Sequence, residues 1–153
     1  TLRNKTMSLF VKQLKTLVTT LSNVKEKDSF SISEWHMEDS SLECGYAACI
    51  CGHQAVMPES PLFPMPWMKE QDFTHISQVI GRQLWGACEE LTGEDYLAEA
   101  IIGGDKYSRS YSAGVSEVFT DIELRHPHLT KEDPTIEEAI SFIQLVISKV
   151  EAL

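Results

Sequence analysis

The sequence predicts an all-α fold: a single compact bundle of five or six helices over residues 1–153, with a proline-rich loop packed on one side. Apolar residues recur at three- and four-residue spacing in several long stretches, which marks amphipathic helices. A strong helix start lies at Asp133-Pro134-Thr135. No stretch makes a convincing sheet, and neither a repeat nor a domain linker interrupts the chain. A chain of 153 residues, 42% of them hydrophobic, is long enough to bury a core without metals or disulfides to hold it.

The first helix covers roughly residues 5 to 25. Met7, Phe10, Val11, Leu14, Leu17, Val18, Leu21 and Val24 form its stripe, with lysines between them. The pattern breaks at Glu26 to Glu43, where Phe30 and Ile32 alternate with serines in a short extended segment, and Asp39, Ser40 and Ser41 supply turn residues. A second helix is predicted from Cys44 or Gly45 to about Val56, built of very small side chains. Pro58, Pro61, Pro64 and Pro66 exclude helix in the next segment, because each proline removes a donor and restricts its predecessor. Leu62, Phe63, Met65, Trp67 and Met68 in that segment predict a loop pinned to the core.

Asp72 or Thr74 caps a third helix that carries Phe73, Ile76, Val79, Ile80, Leu84, Cys88 and Leu91, ended by Gly93. A short helix from Glu94 to Ile102 follows, stopped by Gly103 and Gly104, and then a loop. Val115, Val118, Phe119 and Ile122 mark another helix, ending before Pro127. In the last helix Pro134 suits the first turn, and Thr135 with Glu138 offers an alternative capping box. Its stripe runs from Ile136 through Ile143 and Val150 to Leu153.

Formal net charge is −10, and it is unevenly spread. Residues 1–27 carry Arg3, Lys5, Lys12, Lys15, Lys25 and Lys27 against Glu26 alone, whereas the other 126 residues carry 7 basic and 22 acidic side chains. A basic first helix is therefore expected to lie across an acidic body, its own or a neighbour's. The balance disfavours direct contact with nucleic-acid phosphates or anionic lipid. No run of 18 apolar residues spans a membrane, and the first 27 residues do not read as a signal peptide. Four cysteines, three of them crowded together, point to a reducing, cytoplasmic compartment.

The crowded segment, Glu43 to Val56, is the sharpest chemical feature. Cys44, Cys49, Cys51 and His53 have the ligand chemistry for zinc. Their spacing, C-x4-C-x-C-x-H, is not that of a structural zinc site. On a helix Cys49 and His53 share a face while Cys51 points elsewhere. The candidate metal set is thus Cys44, Cys49 and His53, with His36 brought back by the loop. A thiol-redox pair of Cys44 and Cys49 is a second possibility, without the C-x-x-C arrangement; a Cys49–His53 nucleophile pair is a third. The structural alternative is that these small residues fill a tight helix crossing, which would also account for Gly52. Glu89, Glu90, Glu94, Asp95 and Glu99 read as a solvated face, and no phosphate-loop, dinucleotide or H-E-x-x-H motif occurs.

The segment from Phe30 to Val56 resembles a family of small bacterial and phage proteins with a Phe-x-x-x-x-Trp stretch followed by Cys-Gly-Thr-x-x-Cys-x-x-Gly-x-Ala. Phe30, Trp35, Cys44, Gly45, Cys49, Gly52 and Ala55 carry the likeness. Tyr46 stands where that pattern has threonine, Gln54 departs from it, and Cys51 and His53 have no counterpart. The likeness covers about 27 residues; it implies helical structure and a phage or bacterial source, and it carries over no catalytic or metal-binding role.

The functional expectation is a non-catalytic, acidic protein-interaction module with no cofactor, acting on a basic partner protein or associating with itself. The alternatives are a zinc- or thiol-dependent module centred on Cys44, Cys49 and His53, and a DNA-mimic inhibitor whose carboxylates imitate a phosphate backbone.

Overall fold

The computed structural model describes residues 2–32, 36–55, 73–92, 98, 101, 117–131 and 133–152. Among the described residues, five α-helices with both ends defined pack as a compact all-α bundle: α1 (Leu2–Ser22), α2 (Ile50–Ala55), α3 (Phe73–Thr92), α4 (Glu117–Arg125) and α5 (Ile136–Glu151). Two short 3-10 turns, Lys27–Ser29 and Pro127–Leu129, and two two-residue strands complete the described chain. The proline-rich segment and the loop between residues 102 and 116 lie outside the described residues, as does most of the short helix expected from Glu94. Of that helix, Ala98 and Ile101 are helical and buried.

The apolar stripe of α1 explains its central place. Phe10, Leu14, Leu17 and Leu21 are fully or almost fully buried, each worth about 1.5–3 kcal/mol over exposure. They face α5, α3 and α2, against which α1 packs. Along the outer edge Thr16, Thr19 and Ser22 donate their hydroxyls to the carbonyls of Lys12, Lys15 and Val18, the back-bonding such residues use within helices. The helix stops at Ser22, three residues before the expected end. The amide of Asn23 is shared between the carbonyls of Thr19 and Thr20, and Val24 bonds Leu21. Val24 still packs against the core from beyond the helix.

In α5 the capping box is complete. The Thr135 hydroxyl accepts from the Glu138 amide at 3.2 Å, and the Glu138 carboxylate accepts from the Thr135 amide at 2.9 Å. Thr135 is therefore the N-cap, and Pro134 lies before the helix rather than in its first turn. Phe142 and Phe119 of α4 meet edge-on, with ring centroids 5.9 Å apart. Lys149 pairs with Asp121 across the same helices.

The region after α1 corrects the sequence expectation most. No helix begins at Cys44. Met37–Glu38 (β1) and Tyr46–Ala47 (β2) pair antiparallel, with Met37 opposite Ala47 and Glu38 opposite Tyr46. Phe30 adds a single parallel bridge to Ala48. Gly45 has φ +81°, a left-handed conformation that a helix would not contain. Two stacked turns close the tip: Leu42 donates to Asp39, and Gly45 to Leu42. The Asp39 carboxylate accepts from both the amide and hydroxyl of Ser41, a local bond that favours a turn over a helix. The second helix starts only at Ile50, where the apolar run Ala47 to Cys51 enters the core.

Candidate functional site

The hairpin, the 3-10 turn after α1 and the start of α2 converge on one cleft of about 340 Å³. Thr20, Asn23 and Val24 come from the end of α1, Glu26 and Ser29 from the turn, Glu43, Cys44 and Tyr46 from the hairpin, and His53 from α2; Lys25 completes the lining.

His53 anchors this arrangement. Its side chain is buried, and its Nε2 lies 3.0 Å from the carbonyl oxygen of Ser29. A carbonyl only accepts, so Nε2 carries the proton and Nδ1 the lone pair. The Tyr46 hydroxyl sits 3.5 Å from Nδ1 and donates to it. Burial pushes the His53 pKa down, against the bond to Ser29, which raises it. The imidazole is thus neutral near pH 7 and committed at both nitrogens. Rings form a row through it: His36 stacks on Tyr46 at 5.0 Å, Tyr46 tilts against His53 at 5.4 Å, and Phe30 stacks on His53 at 6.3 Å.

Glu26 closes the cleft on the other side. One carboxylate oxygen accepts from the Glu43 amide at 2.9 Å and the other from the Cys44 amide at 3.0 Å. These two backbone bonds hold its pKa below the ordinary carboxylate value, with the Cys44 bond contributing most. Behind the cleft, Thr20 donates to the Gln54 side chain at 2.6 Å, a buried bond that ties α1 to α2.

The proposed ligand residues are distributed unequally. Cys44 is exposed, lines the cleft beside His53, and points its thiol at the Tyr46 carbonyl, 3.3 Å away. His36 reaches the site through its stacking on Tyr46. Cys49 does not join them. It immediately precedes α2 and is fully buried in the hydrophobic core. Its carbonyl accepts the His53 amide at 2.9 Å, so the two residues are linked through the backbone. Cys51 is also in the core, where burial drives its thiol pKa well up. None of the four cysteines is in a disulfide. Among the described residues, no group of three or more His, Cys, Asp or Glu side chains is placed to hold a metal ion. The acidic Glu89 and Glu90 are exposed on α3, away from this cleft.

Sequence reasoning missed Glu26, Tyr46, Thr20 and Asn23 as members of the site. Glu26 did carry a signal, since it is the sole acidic residue among the first 27. Tyr46 occupies the position where the resembling pattern has threonine. Thr20 and Asn23 carry none, because only the end of α1 and the entry to α2 bring them to the cleft.

No described helix is long and apolar enough to cross a membrane. Compared with protein-family models, with curated proteins and with solved structures, the chain matches none.

Proposed function

We propose that the chain is a non-catalytic binding module whose acidic hairpin receives a basic partner protein. The observation that carries this reading is the set of carboxylates on the hairpin beside the Glu26 cleft: Glu38 and Glu43, both exposed, and the half-buried Asp39. Asp39 keeps its charge, because the Ser41 hydroxyl and amide donate to it and hold its pKa below the ordinary carboxylate value. The ion pairs among the described residues lie elsewhere: Lys27 with Glu137, Arg125 and Lys149 with Asp121, and Lys131 with Glu138. Glu38 and Glu43 are exposed to solvent, where such charge steers a cationic surface and suppresses anionic ones. The cleft chemistry favours binding over reaction, because His53 is held by Ser29 and Tyr46 and the Cys44 thiol by the Tyr46 carbonyl.

The test begins with capture of partners under native conditions and their identification, followed by titration of the purified partner. The expected partner is basic, its affinity falls as ionic strength rises, and the charge-reversed variant E38K/E43K loses it. Asp39 is left in place in that variant, since it shapes the turn. Light scattering separates this outcome from self-association of the basic face of α1 with the hairpin of a second copy. A lone monomer without a partner, or a partner indifferent to salt and to the charge reversal, overturns the proposal.

A further inference from the structure

No residue from His36 to Tyr46 is buried, whereas Ala47 and Ala48, which follow, both are. The hairpin keeps its shape through its own bonds. Its two strands pair, the Asp39 amide donates to the Gly45 carbonyl at 2.9 Å, Leu42 donates to Asp39 at 3.2 Å and Gly45 to Leu42 at 3.0 Å, and Ser41 bonds the Asp39 carboxylate. Among the described residues, the hydrogen bonds from Met37–Tyr46 to the body of the chain end on two side chains. Glu26 receives the Glu43 and Cys44 amides, and His53 receives the Tyr46 hydroxyl. The Glu26 bonds are exposed, so water competes for them. The base is anchored separately: Ala48 donates to the Ser29 carbonyl at 2.8 Å and accepts from the Ser31 amide at 3.0 Å, and the Thr74 hydroxyl donates to the His36 carbonyl at 3.4 Å. A segment with many internal bonds, no buried residue and few exposed ties opens as one unit, at lower cost than the packed helices.

The group beneath the hairpin gives that motion a consequence. The two nitrogens of the buried His53 are tied to different parts of the chain. Nε2 donates to the Ser29 carbonyl on the turn after α1, and Nδ1 accepts from Tyr46 on the hairpin. The Ala48 amide holds the same Ser29 carbonyl from the hairpin base. When the hairpin lifts, the Nε2 bond stays and Tyr46 departs, so the Nδ1 lone pair opens onto the cleft. An imidazole whose tautomer and orientation are fixed by a bond at one nitrogen is prepared to accept at the other. We infer that Met37–Tyr46 is a flap, latched by Glu26 and hinged where Ala47 and Ala48 enter the core, whose opening uncovers Nδ1 of an imidazole already oriented by Ser29. This goes beyond the proposed function, which concerns the outward carboxylates of the same hairpin. Its test uses the chain alone, so its failure leaves that reading standing.

The experiment combines amide hydrogen exchange by NMR with carbethoxylation of histidines by diethyl pyrocarbonate, read by mass spectrometry at neutral pH. In the parent chain the Asp39, Leu42, Glu43, Cys44 and Gly45 amides are expected to exchange through one common opening. They should be less protected than α1 and α5 and share one urea dependence, shallower than that of the helices. Glu26→Ala should accelerate all five by about tenfold, the scale of two net hydrogen bonds. His53 should be modified slowly in the parent and faster in Glu26→Ala by the same factor, while the exposed His128 reacts at one rate in both. Unchanged protection of α1 and α5 shows that the variant is folded. Different urea dependences among the five amides of the parent, or their exchange only together with the helices, overturns the inference without recourse to any variant. Acceleration confined to Glu43 and Cys44, or a His53 reactivity that Glu26→Ala leaves unchanged, overturns it as well.

Discussion

His53 gives its Nε2 proton to the carbonyl of Ser29 across 3.0 Å, joining α2 to the turn that follows α1. The bond fixes the tautomer of a buried imidazole, and with it the direction of the Tyr46 hydroxyl. His53, one of the candidate metal ligands of the sequence, therefore acts as a strut between two elements, bonding a residue 24 positions away.

A first prediction concerns pH. Burial lowers the folded-state pKa of His53 relative to the unfolded value of about 6.5. The unfolded chain therefore binds the proton more readily than the folded one. The contribution of His53 to stability is complete above about pH 6.5 and is lost as pH falls through its folded pKa. Imidazole NMR should show its midpoint below that of a histidine in an unfolded peptide, about 6.5. His53→Ala should lower stability by about 0.5–1.5 kcal/mol for the lost hydrogen bond, since the Ser29 carbonyl keeps the Ala48 amide. It should also flatten the pH dependence of thermal unfolding in that window.

Glu26 gives a prediction with the same acid-side sign and a local readout. Its folded pKa lies below the ordinary carboxylate value because the Cys44 and Glu43 amides donate to it. The bond is present above the unfolded pKa and is lost as pH falls through the folded one. Hydrogen exchange at these two amides should accelerate on acidification and in Glu26→Ala at neutral pH. Exchange in α1 and α5 should stay unchanged in that variant. Equal protection of the two amides with and without Glu26 would sink the assignment.

Two glycines should respond oppositely to alanine. Gly45 sits at φ +81°, and an added Cβ meets nothing within 4 Å, so the cost of Gly45→Ala is backbone strain alone, about 1–2 kcal/mol. Gly86 lies within α3 and is equally open around a new Cβ. There alanine relieves the entropic cost of glycine in a helix, and Gly86→Ala should stabilise by about 0.5–1 kcal/mol. Denaturant midpoints of the two variants, shifted in opposite directions, check both.

Much of the fold was legible in the sequence. The three- and four-residue spacing from Phe10 to Leu21 and from Ile136 to Val150 is a direct consequence of helix geometry, so α1 and α5 could be placed from pattern alone. The stretch before Cys49 was not legible in that way. Its small residues fit a helix and a tight turn equally well, and the choice falls to bonds that no local pattern announces. Asp39 with Ser41 shapes the tip, Glu26 reaches across from 17 residues away, and Ala48 pairs with the segment after α1. The same long-range contacts assemble the cleft. That is why Cys44 and His53 could be singled out by residue type, while Thr20 and Asn23 could not.

The helix start at Thr135 yields a fourth prediction. Thr135→Ala removes the oxygen that receives the Glu138 amide, and the loss of an N-cap costs about 0.5–2 kcal/mol. Serine at the same position should retain most of the stability. Chemical denaturation of the alanine and serine variants beside the parent distinguishes a capping role from a side-chain packing role.

Cys44 stands exposed at the mouth of the cleft, whereas Cys49, Cys51 and Cys88 are sealed in the interior. The native chain thereby offers a single addressable attachment point. A fluorophore coupled there under folded conditions would report cleft occupancy directly, with no cysteine introduced and none deleted.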